Sequence, residues 1–214
     1  MNYTKLMITT VVVTLLLSNL AGCSWFSSGD DDVAKKDVIT DTPAGDTTNP
    51  AEPTDDTATA QPAGFTPYSN LVENIELSYP SAWEMEEGFM GSIVMVLSPL
   101  ADDLDMFQEN LNIVSEILPY EDIGIEEYKD ASISQIESLI SDYTLESAEK
   151  TTIDGLDAYK IAYTGSQGLY NLKWMQYLIV NGAKAYVITY TSEVEQYEKF
   201  LPVIEQIAAS FKTL

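Results

Sequence analysis

The chain has 214 residues and a formal net charge of −24, with 34 acidic residues against ten basic ones and no histidine; all ten basic residues are lysine. These counts exclude Ser-His-Asp and Cys-His nucleophile systems, histidine-ligated zinc or haem, and the arginine forks that read phosphate and guanine bidentately. Lysine and arginine supply most nucleic-acid affinity by neutralising phosphates, so nucleic acid is not an expected partner.

Met1 to Lys5 provides a small positive end, Leu6 to Leu17 an apolar stretch and Ser18 to Cys23 a small-residue cleavage region, the pattern of an export signal. The apolar stretch is shorter than the roughly 20 residues a membrane span needs. Leu20-Ala21-Gly22-Cys23 resembles the bacterial lipobox. That resemblance implies a signal peptide over residues 1–22 and a Cys23 thiol alkylated by diacylglycerol as the first mature residue. The protein would then be a palmitate-bearing lipoprotein at the extracytoplasmic face of the cell membrane, facing the outer surface or the periplasm according to envelope type. Cys23 is the only cysteine, so no disulfide forms within one chain. Two long acyl chains, each buried methylene contributing about 0.8 kcal/mol, anchor nearly permanently.

Residues 23–66 read as an acidic, Thr/Pro/Asp-rich disordered linker. From Ser24 to Thr66 nine acidic residues face two lysines, and large apolar residues occur only at Trp25-Phe26, Val33, Val38-Ile39 and Phe65, too few to offset the entropy of ordering. Pro43, Pro50, Pro53 and Pro62 stiffen it. A flexible coil of this length reaches about 35–40 Å, and full extension about 140 Å. Trp25 and Phe26, beside the lipid, suit the headgroup region.

Residues 67–214 are long enough for one core and too short for two ordinary domains. Seven lysines stand against 25 acidic residues here, so the folded surface shares the acidity. Period-two alternation predicts strands at 73–79, 92–98, 109–118, 143–152, 156–164, 171–180 and 183–191, with a short one at 83–86. Asn181-Gly182 predicts a type I′ hairpin turn, and Asp154-Gly155 a second hairpin. In 172–180 both faces are apolar, so something must cover each side. Ile125, Tyr128, Ser132, Ile136, Leu139 and Ile140 stripe one helix, with Glu126, Glu127 and Asp130 in its first turns. A C-terminal helix carries Val194, Tyr197, Leu201, Ile204, Ala208 and Phe211, with Ser192 and Glu195 as its capping box and Pro202 expected to kink or break it. The order of elements predicts an α+β domain, an antiparallel sheet sandwiched between helices.

Tyr79-Pro80-Ser81-Ala82-Trp83, Ile153-Asp154-Gly155-Leu156-Asp157-Ala158, the run Asn181 to Tyr190 and the closing Ile207-Ala208-Ala209-Ser210-Phe211 together resemble the PsbP-like superfamily. This superfamily includes the photosystem II extrinsic protein PsbP and bacterial DcrB-like lipoproteins. The resemblance covers about residues 65–214 and implies a PsbP-like α/β/α sandwich in a non-enzymatic binding or assembly factor. Its expected partners are the membrane, through the anchor, and an envelope protein.

Catalytic and metal candidates are sparse. Asp102, Asp103, Asp105 and Glu109 could supply oxygen ligands for weakly bound calcium, although the D-x-[DN]-x-[DN]-G spacing is absent. A divalent-cation or small-ligand domain is thus the alternative. A carboxylate-based hydrolase using Glu84, Glu86, Glu87, Glu121 or Asp122 ranks third, because these acids are neighbours in sequence rather than an evident facing pair. Trp83 and Trp174 are either core or the lining of a sugar or lipid cleft. No further cofactor is expected.

Overall fold

A computed structural model describes residues 63–102 and 104–214. The segments expected as a signal peptide and, up to residue 62, as a linker lie outside the described residues, as do Cys23 and Asp103. Ten strands and two α-helices follow in the order β1 (Phe65–Asn70), β2 (Ile75–Pro80), β3 (Glu84–Glu87), β4 (Val94–Leu97), β5 (Asn110–Ile117), α1 (Ile125–Leu139), β6 (Ser141–Ile153), β7 (Leu156–Gln167), β8 (Tyr170–Asn181), β9 (Lys184–Glu193), α2 (Tyr197–Ser210) and β10 (Lys212–Thr213). The described strands form a seven-stranded sheet in the order β3-β4-β5-β9-β8-β7-β6 and a three-stranded sheet in the order β1-β2-β10. Every pairing in both is antiparallel.

The double-sided apolar pattern of β8 decides the architecture. Leu172, Trp174 and Leu178 join one core with Ile125, Tyr128 and Ile136 of α1. Met175, Tyr177 and Ile179 join a second core on the opposite face, with Ile204, Ile207 and Ala208 of α2 and Ile75 and Leu77 of β2. One strand therefore feeds two cores, and a helix covers each face. Ser210 ties α2 to the small sheet, since its hydroxyl accepts the Ser78 N–H at 2.9 Å, while Phe211 packs its ring edge on Tyr186 at 5.6 Å.

Several boundaries differ from the sequence reading. β1 starts at Phe65, inside the stretch read as linker, and accommodates Pro67 because β1 is an edge strand in which that missing N–H costs no ladder bond. Asn181 pairs with Lys184, leaving Gly182 and Ala183 as the turn residues; only Gly182 takes positive φ, at 60°, which is the type II′ pattern rather than I′. Asp154 and Gly155, at φ 51° and 72°, do form the I′ type. Ser192 is not a helix cap, because β9 continues to Glu193 opposite Leu172 and buries Ser192 completely. Helix α2 begins at Tyr197 and runs through Pro202 without a break.

Gly165 shows a close approach that sequence periodicity does not reveal. A Cβ there would overlap Ile140 Cγ2 and stand 2.8 Å from the Ser141 carbonyl, where the chain leaves α1 and enters the bulged start of β6. Gly165→Ala is expected to destabilise the protein by about 1–3 kcal/mol through overpacking. A thermal melt of the full chain checks this, and an unchanged midpoint would contradict the contact.

Candidate functional site

The acidic loop singled out by sequence joins β4 to β5 at one end of the sandwich. Its carboxylates close its own turns: Asp102 Oδ1 accepts the Leu104 N–H at 2.8 Å, and Asp105 accepts the N–H groups of Ala101 at 2.7 Å and Phe107 at 3.1 Å. Short acidic side chains do this readily because their oxygens reach backbone donors two residues away. Glu109 is different. It is 3% exposed, its Oε2 accepts the Ser98 hydroxyl at 3.3 Å, and its Oε1 has no partner among the described residues. Among the described residues no three acidic groups form a metal-binding cluster.

Burial, followed by the charges of Asp105 and Glu193, pushes the Glu109 carboxyl above its ordinary value of 4.5. Glu73, in the β1–β2 turn, moves the other way. It accepts the Lys184 ammonium at 2.7 Å and the Ser115 hydroxyl at 2.9 Å, and these bonds hold its carboxyl below the ordinary range. The signs of the pH dependence therefore differ. A carboxyl raised on folding makes the native state bind more protons, so its stabilising influence is present at low pH and is lost as pH rises through the folded value. A lowered carboxyl contributes above its unfolded value and loses that contribution as pH falls through the folded one. Glu109→Gln should raise stability at pH 7 by about 1 kcal/mol and change little near pH 4. Glu73→Gln should destabilise at pH 7, with the loss shrinking on acidification. Denaturant titrations at both pH values check the pair, and parallel responses would refute the assignment.

The other catalytic candidates are dispersed. Glu84, Glu86 and Glu87 lie exposed on the edge strand β3, and Glu121 and Asp122 are exposed in the β5–α1 connection. Trp174 is core, 1% exposed and stacked on Tyr163 at 5.2 Å. Trp83 sits half-buried against the α2-side core, its ring 5.9 Å from Phe200.

Two features escaped sequence reasoning. The first is a row of buried polar side chains across the sheet centre: Asn112 of β5 is opposite Thr189 of β9, which is opposite Gln176 of β8, and Asn110 is opposite Thr191 one step along. Gln176 Nε2 donates to Thr189 Oγ1 at 3.1 Å, whereas the side-chain oxygens of Asn110, Asn112 and Gln176 lack protein partners. Buried amides of this kind are commonly bridged by ordered water. The alternation signal could not find them, since Asn and Gln read as the outward half of a strand.

The second feature is a cleft of about 370 Å³ lined by Leu169, Tyr170, Asn171, Glu193, Val194 and Glu195. It lies where the β7–β8 turn meets the β9–α2 connection, held by the Val194 N–H donating to the Asn171 carbonyl at 3.3 Å. The β4–β5 loop adjoins it, with the Phe107 ring 5.2 Å from Tyr170.

An antiparallel seven-stranded sheet with a helix on each face, the terminal one closed by Ser210-Phe211, and a small second sheet define an α+β sandwich of PsbP-like form. A family model described as PsbP-like protein matches residues 32–213, and the chain belongs to that family. The fold is similar to that of cyanobacterial PsbP (CyanoP) from Synechocystis sp. PCC 6803, with 17% identity, a TM-score of 0.52 and coverage of 73% of this chain and 96% of that one. It is also similar to LpqN of Mycobacterium tuberculosis, a protein involved in cell envelope biogenesis, with 12% identity, a TM-score of 0.53 and coverage of 73% and 88%. Protein PA94 of Pseudomonas aeruginosa shares 15% identity at a TM-score of 0.50, over 68% of this chain and 94% of its own. No curated protein matches the sequence.

Proposed function

We propose that this protein is an exported lipoprotein, anchored through diacylglycerol on Cys23 at the extracytoplasmic face of the cell membrane, whose PsbP-like domain binds or helps assemble an envelope protein without catalysing a reaction. Membership of the PsbP-like family carries this reading. The envelope role of the structurally similar LpqN supports it, and so does a composition without histidine, arginine or a thiol beyond Cys23. The long acidic segment after the anchor would give the domain lateral reach, and its charge would keep it off the anionic lipid surface.

Cys23→Ser is expected to shift the protein from the membrane to the soluble fraction, with mass spectrometry of the wild-type mature N-terminus showing a diacylated cysteine. A wild-type chain still beginning at Met1 would end the anchor reading. For the binding role, cross-linking in intact cells should recover one exported or membrane protein repeatedly. Background alone, combined with turnover of a glycan or ester by the purified protein, would favour a hydrolase instead.

A further inference from the structure

Resting on the partner-binding reading above, we propose that the cleft between the β7–β8 turn and the β9–α2 connection docks a basic segment of a protein partner, anchored by an aliphatic side chain. Three connections converge at this end of the sandwich, and each presents large apolar groups to solvent. Leu169 is 96% exposed at the tip of the β7–β8 turn, Leu104 and Met106 are 88% and 79% exposed on the β4–β5 loop, and Val194 is 45% exposed beyond β9. The Phe107–Tyr170 ring contact and the Val194–Asn171 hydrogen bond bring the three into one surface. Exposing so many aliphatic groups on water-facing loops serves no internal core. Clustered exposure of this kind marks an interaction site, where single exposed apolar residues do not.

Charge selects the occupant. Glu193 and Glu195 line the cleft, and Asp105 on the adjoining loop is close enough to help raise the Glu193 carboxyl, after burial. Among the described residues no lysine lines the cleft. Lys173, near the start of β8, is already engaged by Glu146 at 2.9 Å. Two carboxylates beside exposed aliphatic side chains disfavour an anionic lipid headgroup and favour lysine or arginine flanking a leucine-like anchor. The opposite end of the sandwich also exposes Leu71, Val72 and Ile117, but there Lys184 pairs with Glu73, so no single sign of charge dominates. A cleft of about 370 Å³ accommodates one or two side chains rather than a large ligand.

The probe is a fluorescein-labelled peptide of alternating lysine and leucine, titrated into the full chain in detergent and compared with lysine–serine and glutamate–leucine peptides of equal length. The lysine–leucine peptide should bind at least tenfold more tightly than either control. Leu169→Ser combined with Met106→Ser should remove most of that preference while the melting temperature stays unchanged, because both side chains are exposed. Equal binding of the lysine–serine peptide would reduce the effect to general charge attraction and overturn the proposal, as would undiminished binding by the double variant. Cross-linking in cells separates the two levels of inference. An adduct that forms equally with wild type and the double variant removes this surface but leaves partner binding standing, whereas no adduct with wild type removes both.

Discussion

Deleting residues 202–214 is expected to abolish cooperative unfolding, and Phe211→Ala alone to destabilise the full chain by about 3–5 kcal/mol. The deletion removes Ile204, Ile207, Ala208 and Phe211, each no more than 1% exposed, from the core that joins the seven-stranded sheet to the small one. It also removes β10, whose Thr213 N–H and hydroxyl both donate to Asp154 at the β6–β7 turn, at 2.9 and 3.0 Å. A domain of this size holds a net stability of only about 5–15 kcal/mol, so the loss of one face of the sheet exceeds what remains. Urea titration followed by circular dichroism is the measurement. A truncated chain melting like the intact one would mean that α2 does not close the second core. Ser210→Ala should cost less, about 1 kcal/mol, since it removes a hydroxyl bridge to Ser78 but no apolar volume.

The architecture was legible where residue spacing is enforced by burial on both sides. In β8, apolar residues on alternate faces cannot be satisfied by a half-solvated strand, and the observed split of Trp174 from Met175 into separate cores follows directly. The Asp154-Gly155 turn and the α1 stripe were legible for similar local reasons, except that Leu139, placed on the stripe by spacing, is 47% exposed at the helix end. Misreadings occurred where a local motif competes with a long-range ladder. Ser192 and Glu195 have the spacing of a capping box, yet pairing of Glu193 with Leu172 carries the strand past Ser192 and delays the helix to Tyr197. β1 was hidden by Pro67 and by the absence of strong alternation in a short edge strand.

The candidate surface was less legible than the fold. The acidic run at residues 102–105 is conspicuous in sequence, but Asp102 and Asp105 turn their oxygens to the backbone of their own loop. Leu169 and Val194 are 25 positions apart and become neighbours only because β8 and β9 form a hairpin. No windowed pattern can join them. Glu109 illustrates the same limit, since a carboxylate at the start of an alternating strand reads as outward-facing, whereas it is buried and accepts the Ser98 hydroxyl.

Trp174→Ala is the second substitution expected to have a large effect, about 3–5 kcal/mol, and it tests the opposite face of the sheet. Trp174 lies stacked on Tyr163 with an interplanar angle of 18°, and Tyr163 in turn packs on Tyr143 at 5.5 Å, an aromatic column crossing from β8 through β7 to the edge strand β6. Gly165 lies against this column, since a Cβ there would stand 3.6 Å from the Trp174 ring, an ordinary contact, while Ile140 and the Ser141 carbonyl supply the crowding on its other side. Removing the indole therefore opens a cavity beside residues already held at close quarters by Ile140, and the backbone around Gly165 has little freedom to collapse into it. Trp174→Phe retains a ring against Tyr163 and should recover part of the loss. Near-ultraviolet circular dichroism, sensitive to a fixed indole, should show most of its signal gone in Trp174→Ala while the far-ultraviolet sheet signal persists at low temperature. Because Trp174 and Phe211 occupy different cores that share β8 and β9, their combined substitution should abolish folding, even where each single variant still folds at low temperature. A double variant that still folded would show that the two losses together fall short of the net stability of the domain, and two separate unfolding transitions would contradict the single shared sheet described here.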